Sequence, residues 1–250
     1  MCLVQCSKNR DAPVKAMILA AGLGTRFKPW TDSHPKALAL VNGKSLLERN
    51  IKYLQTFGIN DVLVNVHHFA EQILESIKKN NGWGSRITIS DETAAVLETG
   101  GGLKKAVAYF DQGTFVLMNA DILTDLDLNQ MFDFHKQRKP LVTLAVTNRK
   151  SSRYFLFDKN DRLSGWRNTK SGEEIISIPD KMITEKAFSG IHLISPEIFQ
   201  LLHRQGKFSI VDVYLELAAA HLILGFDHSG SKLVDVGRPE SVTVAEKLFK

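Results

Sequence analysis

Two hydrophobic patterns follow one another along the chain. In the first half, short apolar runs alternate with segments whose apolar residues recur every three or four positions. The runs predict buried strands and the recurring spacing predicts amphipathic helices. Strands are predicted at 14–20, 61–66, 86–90 and 114–118, and helices at 46–54, 73–77 and 102–110. Such βαβ alternation is typical of an α/β fold with a largely parallel sheet.

The pattern changes after Leu141. Short strands are predicted at 143–147, 154–157, 163–166, 175–178 and 191–194, and helices at 196–202, 210–220 and after Pro239. We expect the middle strands to pack as a small β-rich lid beside the main sheet. The whole pattern predicts one large α/β domain, preceded by a polar N-terminal extension at 1–14.

A glycine loop directly follows the first predicted strand. Gly22 and Gly24 lack a Cβ atom, so they can adopt positive φ and let an anion approach several backbone N–H groups. Arg26 adds a guanidinium fork and Lys36 a compact ammonium group. Open α/β sheets bind ligands at the carboxyl edge of their strands. The loop therefore predicts an anion site with two cations at that edge.

Carboxylates follow other apolar stretches. Asp121 comes after the strand predicted at 114–118, which places it at the same sheet edge, and Asp235 lies in a short apolar run near the C-terminal end. Two interpretations are open for each: a ligand for a divalent cation, or a helix cap for Asp121 and a surface carboxylate for Asp235. Asp125 and Asp127 precede a helical segment at 128–135 and are predicted to cap it.

Two well-known phosphate motifs are absent from the loop. The sequence has no G-x-G-x-x-G opening a helix and no G-K-[ST] at P-loop spacing. A nicotinamide-dependent oxidoreductase would need the first of these together with its ribose-binding acid. The loop therefore requires chemistry other than that of dinucleotide-binding or P-loop proteins.

Five ordered motifs carry a resemblance to a known family. They are LAAGLGTRFKPWTDSHPKAL at 19–38, LETGGG at 97–102, NADIL at 119–123, FSGIHLISPEIF at 188–199 and VDVG at 234–237. In this order they resemble the sugar-1-phosphate nucleotidyltransferases, from about Lys15 to the end of the chain. The residues of these motifs are most similar to those of the N-acetylmuramate-1-phosphate uridylyltransferases, followed by those of the mannose- and heptose-1-phosphate guanylyltransferases.

The resemblance implies a fold and a reaction. The fold would be the Rossmann-like, three-layer α/β/α nucleotidyltransferase (GT-A-like) fold, with a mixed, mostly parallel sheet in a single domain at 15–250. Its nucleotide-binding half would lie at about 15–140 and its sugar-binding half at about 141–250. The reaction would join a nucleoside triphosphate to a sugar 1-phosphate and release pyrophosphate. UTP with N-acetylmuramate 1-phosphate is the first expectation. The alternatives are GTP with mannose or heptose 1-phosphate, or a non-catalytic homologue that binds a nucleotide for regulation.

The resemblance also assigns roles to residues. Mg²⁺ would be bound by Asp121 and Asp235, and Arg26, Lys36 and Asp121 would be catalytic. The implied nucleotide-binding residues are Ala21, Gly22, Gly24, Thr25, Arg26, Thr99, Gly100 and Gly101. The implied sugar-binding residues are Glu98, Asn119, Ser189 and Gly190. We expect the run 98–102 to precede a helix, so that its backbone N–H groups contact the base or the sugar.

One departure from the family pattern concerns the sugar phosphate. Larger relatives have a Glu-Lys-Pro segment whose lysine contacts it, whereas the comparable region here reads GWRNTKSGEE. Arg153, Arg167 and Lys186 are the candidates to replace that lysine, and the sequence leaves the choice open.

Composition and charge limit the substrates, partners and location that we expect for this chain. The 250 residues are 44% hydrophobic and carry a net charge of +5, with basic residues scattered rather than gathered into a stripe. This favours small anionic substrates over nucleic acid. Cys2 and Cys6 are expected to be free thiols, and no apolar run is long enough to span a membrane. We expect a cytoplasmic monomer or small homo-oligomer that binds neither nucleic acid nor membrane.

Overall fold

The computed structural model describes residues 13–110 and 113–250. The strands are β1 (Lys15–Leu19), β2 (Leu40–Val41), β3 (Lys44–Ser45), β4 (Asp61–Val66), β5 (Arg86–Asp91), β6 (Phe115–Asn119), β7 (Ile122–Thr124), β8 (Val142–Thr147), β9 (Arg153–Phe157), β10 (Leu163–Asn168), β11 (Glu174–Ile176), β12 (Thr184–Ile194), β13 (Ile223–Asp227) and β14 (Leu233–Asp235). The predicted N-terminal extension lies, up to residue 12, outside the described residues, together with Cys2 and Cys6.

Seven α-helices accompany these strands in the described part of the chain. They are α1 (Leu46–Thr56), α2 (Ala70–Lys79), α3 (Glu98–Lys105), α4 (Leu128–Arg138), α5 (Ile198–Leu201), α6 (Ile210–Leu217) and α7 (Glu240–Leu248). The side chain of Ser45 caps α1 and that of Asp127 caps α4, as expected for Asp127. Asp125 instead accepts a hydrogen bond from Lys232 N, so the prediction that it caps α4 is wrong. Among the helices described, none has the length and apolar character needed to cross a membrane.

A ten-stranded mixed sheet organises the molecule. Its main path runs β11-β10-β9-β12-β6-β1-β4-β5, with β8 beside β12 and β13 beside β8. Strands β6, β1, β4 and β5 are parallel neighbours, and β12 joins β6 in the antiparallel direction. The predicted α/β class with a mixed sheet between helical layers is confirmed.

The middle strands do not form a separate lid. Strand β12 pairs with β6 through 191–194 and with β9 through 184–186, so β9, β10 and β11 extend the main sheet. The eleven residues of β12 make this connection possible, whereas the sequence pattern predicted only 191–194 as strand. The expected lid is therefore a continuation of the sheet through one long strand.

Both faces of the sheet are covered. In β1, Ala16 and Ile18 pack with α1 and α4 on one face, and Met17 packs with α3 and α6 on the other. Successive strand residues point to opposite faces, so a strand buried on both sides reads as an unbroken apolar run. Each large side chain buried in this way stabilises the fold by about 1.5–3 kcal/mol.

A third apolar cluster supports the edge of the sheet. It joins Phe27 of the glycine loop, Leu123 of β7, Val234 and Val236 on and after β14, and Ala245 of α7. Strand β14 pairs antiparallel with β7, with Asp235 opposite Ile122. This cluster therefore holds a C-terminal strand against the segment that follows β6.

Buried histidines make the stability of this fold depend on pH. Burial lowers the pKa of His135 and His228 to about 4 and that of His192 to about 3. The unfolded chain binds these protons near pH 6.5 and the native protein does not. The free energy of unfolding should therefore fall as the pH drops from about 6.5 to about 4, by at most about 1.4 kcal/mol per pH unit for each histidine. Urea denaturation across this range measures the slope.

His135→Gln provides the control for this prediction. The ring nitrogens of His135 lie 2.8 Å from Thr143 Oγ1 and 3.2 Å from Ser195 Oγ, and glutamine keeps polar atoms near these partners without titrating. The variant should show a shallower slope than the parent. Equal slopes would exclude His135 as a source of the pH dependence.

Candidate active site

The carboxyl ends of β1, β4 and β6 meet at one edge of the sheet. Leu19 of β1 lies opposite Asn65 of β4 and Asn119 of β6. Ala20 N donates to Asn65 Oδ1 over 2.7 Å, and Ala120 N donates to Leu19 O over 3.1 Å. These bonds fix the points at which two loops leave the sheet. The glycine loop and Asp121 therefore start side by side.

Gly24 adopts a left-handed backbone conformation, which glycine takes without strain. Its φ is +60°, and a Cβ atom there would lie 2.9 Å from Thr31 Cγ2. Thr31 Oγ1 donates to Gly24 O over 3.0 Å and closes the turn. Gly22 does not use the positive φ that glycine permits, and a Cβ atom there would meet no atom within 4 Å. Within the described residues, the N–H groups of 22–24 donate to no protein acceptor and are available for an anion.

Lys36 and Asp121 form an ion pair. Lys36 lies on a single 3₁₀ turn, Lys36–Leu38, and its Nζ bonds Asp121 Oδ2. Both side chains are largely buried, with 13% and 24% of their surface exposed. The pairing places an ammonium group and a carboxylate together beneath the glycine loop.

Asp235 is brought to Asp121 by strand pairing. The β14–β7 ladder places Asp235 opposite Ile122, and Val236 N donates to Asp121 O over 2.8 Å. The two aspartates are 114 positions apart in sequence, yet adjacent strands fix their backbones. Desolvation by neighbouring protein atoms, and then the negative charge of Asp121, raise the pKa of Asp235, while Lys36 and Arg26 oppose this shift.

Gly237 leaves space for the side chains of Arg26 and Asp235, which both lie close to it. A Cβ atom at Gly237 would lie 2.6 Å from Asp235 Oδ1 and 3.3 Å from Arg26 Nη2. The carboxylate of Asp235 and the guanidinium of Arg26 therefore both lie next to Gly237.

The donor set fits a magnesium ion. Mg²⁺ usually takes one or two carboxylates and completes its shell with substrate phosphates and water. Asp121 and Asp235 supply two hard oxygen donors whose mutual repulsion a cation would relieve. Within the part of the chain that the structure describes, no cluster of three or more His, Cys, Asp or Glu side chains could hold a metal without a substrate.

The first cleft, of about 560 Å³, opens above the glycine loop. Its size is that of a site for a small organic ligand. Predicted residues that line it are Ala21, Gly22, Gly24, Thr25, Arg26, Lys36, Glu98, Thr99, Asn119 and Asp121. The structure therefore brings most of the predicted site together at one surface.

The helix α3 starts earlier than predicted, directly after Leu97. The run 98–102 does not precede α3 but forms its first turns. Glu98 begins the helix with φ +59°, a left-handed conformation that is rare for a residue with a side chain, and its carboxylate pairs with Lys207 at 3.3 Å. Both residues line the first cleft.

Gly100 and Gly101 are covered by another segment and line neither cleft. Gly100 N donates to Phe208 O over 2.9 Å, and Cβ atoms at these glycines would lie 2.4 Å from the Phe208 ring and 2.2 Å from Gly206 O. Thr99 Oγ1 accepts from Ile210 N over 3.0 Å. The glycines thus allow the segment 206–210 to pack directly on the helix, and this segment carries Lys207 and Ser209 into the first cleft.

Gly101→Ala is expected to destabilise the protein by about 1–3 kcal/mol because the new methyl group overlaps a backbone carbonyl. Helix propensity alone predicts the opposite, a gain of about 1 kcal/mol. Urea denaturation decides the sign. Gly230→Ala is the control, since no atom lies within 4 Å of a Cβ there. A stabilised Gly101→Ala variant would contradict the close packing.

The second cleft, of about 950 Å³, continues from the first along β12. Arg26, Asn119 and Ser209 line both. Strand β12 has a register irregularity between Phe188 and His192, and Gly190 takes φ +73° within it. A Cβ at Gly190 would lie 2.8 Å from Asn119 Nδ2, so the glycine lets Asn119 reach the cleft wall. Asp235 also faces this cleft.

Some predicted residues lie elsewhere. Ser189 is completely buried and its Oγ bonds His228 Nε2 at 2.8 Å, so it lines neither cleft. Arg167 pairs with Glu174 and Glu185, outside both clefts. Of the candidates to replace the Glu-Lys-Pro lysine, only Arg153 lines the second cleft.

The structure adds residues that the sequence did not single out. Arg149 and Arg238 line the second cleft, and Lys207 and Ser209 line the first. Arg238 directly follows the VDVG motif, a signal that could have identified it. Arg149 lies in a polar loop after β8 without any motif, and its position depends on the pairing of distant strands.

Known proteins resemble this chain over almost its whole length. The model of the Nucleotidyl transferase family matches residues 15–249. The N-acetylmuramate alpha-1-phosphate uridylyltransferase of Caulobacter vibrioides is 31% identical over 243 residues, covering 94% of this chain and 97% of that protein. The mannose-1-phosphate guanyltransferase of Yarrowia lipolytica is 26% identical over 231 residues, covering 91% of this chain and 61% of its own longer sequence.

Solved structures share the fold. HddC from Yersinia pseudotuberculosis, in complex with GMP-PN, superposes with a TM-score of 0.78 at 23% identity, covering 95% of this chain and all of that one. A putative glucose-1-phosphate thymidylyltransferase from Bacillus anthracis gives a TM-score of 0.79 at 16% identity, with 94% of each chain covered. At these identities the likeness concerns the fold.

Proposed function

Because this chain belongs to the nucleotidyl transferase family, we propose that it joins UTP to N-acetylmuramate 1-phosphate and releases pyrophosphate. The family membership makes the chain a nucleotidyltransferase that acts on a sugar 1-phosphate. The uridylyltransferase of Caulobacter vibrioides supports the choice of substrates, since the alignment spans almost the whole of both chains.

The charge of the second cleft is the observation that carries the choice of sugar. Its lining contains the cations Arg26, Arg149, Arg153, Lys170 and Arg238 and the acids Glu173, Asp212 and Asp235, which is five positive charges against three negative ones. N-acetylmuramate carries a lactyl carboxylate in addition to its ring hydroxyls, so its 1-phosphate has two anionic groups. A cleft with surplus cations favours such a substrate over an otherwise similar neutral sugar.

The family generally uses a divalent cation, which Asp121 and Asp235 would hold. When bound, this cation would neutralise negative charge on the phosphates. Lys36 lies against Asp121 and adds positive charge where the reacting phosphates meet. No residue needs to remove a proton from the nucleophile, because the attacking phosphate is already an anion. Catalysis by this chain therefore consists of positioning and electrostatic stabilisation.

The glycine loop and Arg26 would hold the triphosphate. The N–H groups of 22–24 point to no protein acceptor within the described residues, and Gly24 keeps the loop tight through its left-handed turn. Arg26 stands between the clefts and can pair with the pyrophosphate that leaves. The base and ribose would occupy the rest of the first cleft, beside Thr99 and Glu98.

Pyrophosphate release tests the proposal directly. The protein is incubated with Mg²⁺ and each pair of UTP, GTP, ATP, CTP or dTTP with the 1-phosphates of N-acetylmuramate, N-acetylglucosamine, glucose, mannose and heptose. N-acetylmuramate and N-acetylglucosamine differ only in the lactyl ether. We expect UTP with N-acetylmuramate 1-phosphate to give the highest rate, about 10- to 100-fold above N-acetylglucosamine 1-phosphate, as for one charged hydrogen bond.

Other outcomes identify other functions. The highest rate with GTP and mannose or heptose 1-phosphate would replace the proposed substrates with those of a guanylyltransferase. Nucleotide binding without turnover of any pair would favour a non-catalytic, regulatory homologue.

A further inference from the structure

Several cations line the second cleft, and one of them must be in place to hold the phosphate that attacks. The reaction brings this phosphate to the boundary of the two clefts, where Asp121 and Asp235 already concentrate negative charge. Lys36 is paired with Asp121, and Arg26 faces the triphosphate side as well. A cation on the wall of the second cleft would therefore offset the repulsion between these carboxylates and a dianion.

Two candidates are already occupied by other contacts. Arg167 is held by Glu174 and Glu185 and does not line the cleft. Lys186 donates to Asn148 Oδ1 over 2.6 Å and to Asp227 Oδ2 over 2.5 Å, and it lines a different, small cavity of about 160 Å³. Neither lies where the sugar phosphate would bind.

Arg149 is half-buried in the wall of the second cleft. Its Nη2 donates to Phe188 O over 2.9 Å, at the irregular part of β12, and Phe188 lines the same cleft. Its positive charge acts on Asp235, so it lies on the Asp235 side of the cleft. Among the described residues, no acceptor is within hydrogen-bond distance of the buried Arg149 Nε. An unsatisfied buried donor is unfavourable, and an anion drawing the guanidinium toward it would relieve this.

The backbone before Arg149 is fixed on two sides. Asn148 N donates to Ser229 Oγ over 2.9 Å, and the Asn148 side chain accepts from Lys186. By contrast, Arg153, Lys170 and Arg238 are exposed at the rim of the cleft, so binding through them would cost the ordering of a long side chain. Arg149 is the cation that the fold already holds in place.

We propose that Arg149 binds the phosphate of the sugar 1-phosphate, in the position that the missing Glu-Lys-Pro lysine leaves open. The inference rests on the proposed function to the extent that the chain transfers a nucleotide to some sugar 1-phosphate, and it does not depend on which sugar that is. Lys186 contributes indirectly as a positioning residue, because it holds Asn148 next to Arg149.

Arg149→Met and Arg149→Lys test this role, with Arg167→Met as the matched control. Steady-state kinetics are measured with whichever pair the parent turns over, and nucleoside triphosphate affinity is measured by calorimetry. Arg149→Met should lower kcat/KM for the sugar 1-phosphate by about 100-fold or more. Arg149→Lys should recover part of it, about tenfold below the parent, since it keeps the charge and loses the fork. The triphosphate Kd should stay within about twofold, and Arg167→Met should behave as the parent.

The proposal is overturned if Arg149→Met and Arg167→Met are equally active, or if Arg149→Met weakens the triphosphate as much as the sugar 1-phosphate. Circular dichroism confirms folding, and Arg149→Lys decides the matter if the methionine variant does not fold. A parent that prefers another substrate pair removes N-acetylmuramate from the proposed function while the Arg149 comparison stands. A parent that binds no sugar 1-phosphate at all overturns both.

Discussion

Asp121→Asn is expected to lower kcat/KM by about 1,000-fold with little change in fold stability. Asparagine keeps the size of aspartate and an oxygen that can accept from Lys36, but it removes the charge, so the proposed metal site loses an anionic ligand. Metal-based charge stabilisation contributes several kcal/mol to the transition state, and about 4 kcal/mol corresponds to three orders of magnitude in rate. Pyrophosphate release at several Mg²⁺ concentrations measures the effect.

Asp127→Asn is the matched control for this experiment. Asp127 accepts from Asn129 N at the start of α4, and asparagine is an equally good N-cap, so activity and stability should both stay close to those of the parent. Asp235→Asn should resemble Asp121→Asn and require a higher Mg²⁺ concentration for half-maximal rate. An Asp121→Asn variant within about tenfold of the parent would exclude a metal-binding role for this carboxylate.

The sequence predicted the sheet edge well because its signals are local. An unbroken apolar run marks a strand buried on both faces, and the polar residue after it must emerge at the carboxyl edge. Arg26, Lys36 and Asp121 could therefore be placed together without a structure. Their joint lining of the first cleft agrees with that prediction.

Other features depend on contacts between distant segments. The run 98–102 was predicted to precede a helix, whereas it forms the first turns of α3, where the packing of Phe208 and Gly206 requires glycines inside the helix. Glycine is a poor helix former, so local propensity gives no sign of this. Likewise the sequence pattern predicted strands close to β9, β10 and β11. Their pairing with the main sheet depends on the length of β12, which the pattern did not show. Arg149 was missed for the same reason, since no local pattern connects the loop after β8 to Asp235.

Gly237 follows β14 and lies close to Arg26 of the glycine loop, which is distant in sequence. Gly237→Ala is expected to reduce kcat by about 100-fold. The added methyl group would overlap Asp235 Oδ1, at 2.6 Å, and press on Arg26 Nη2, at 3.3 Å. A displacement of about 1 Å at reacting groups can cost two orders of magnitude in rate. The backbone of Gly237 lies outside the positive-φ region, so alanine brings no conformational strain and stability should change little.

Gly230→Ala separates this steric effect from any general cost of alanine near β14, because its Cβ would meet no atom within 4 Å. The combination Gly237→Ala with Asp235→Asn gives a sharper test. If the methyl group acts by displacing Asp235, the double variant should be scarcely less active than Asp235→Asn alone, since neighbouring groups with one shared function do not add. Fully additive losses would instead mean that Gly237 acts on a part of the site independent of Asp235, and the overlap with its carboxylate would not explain the effect.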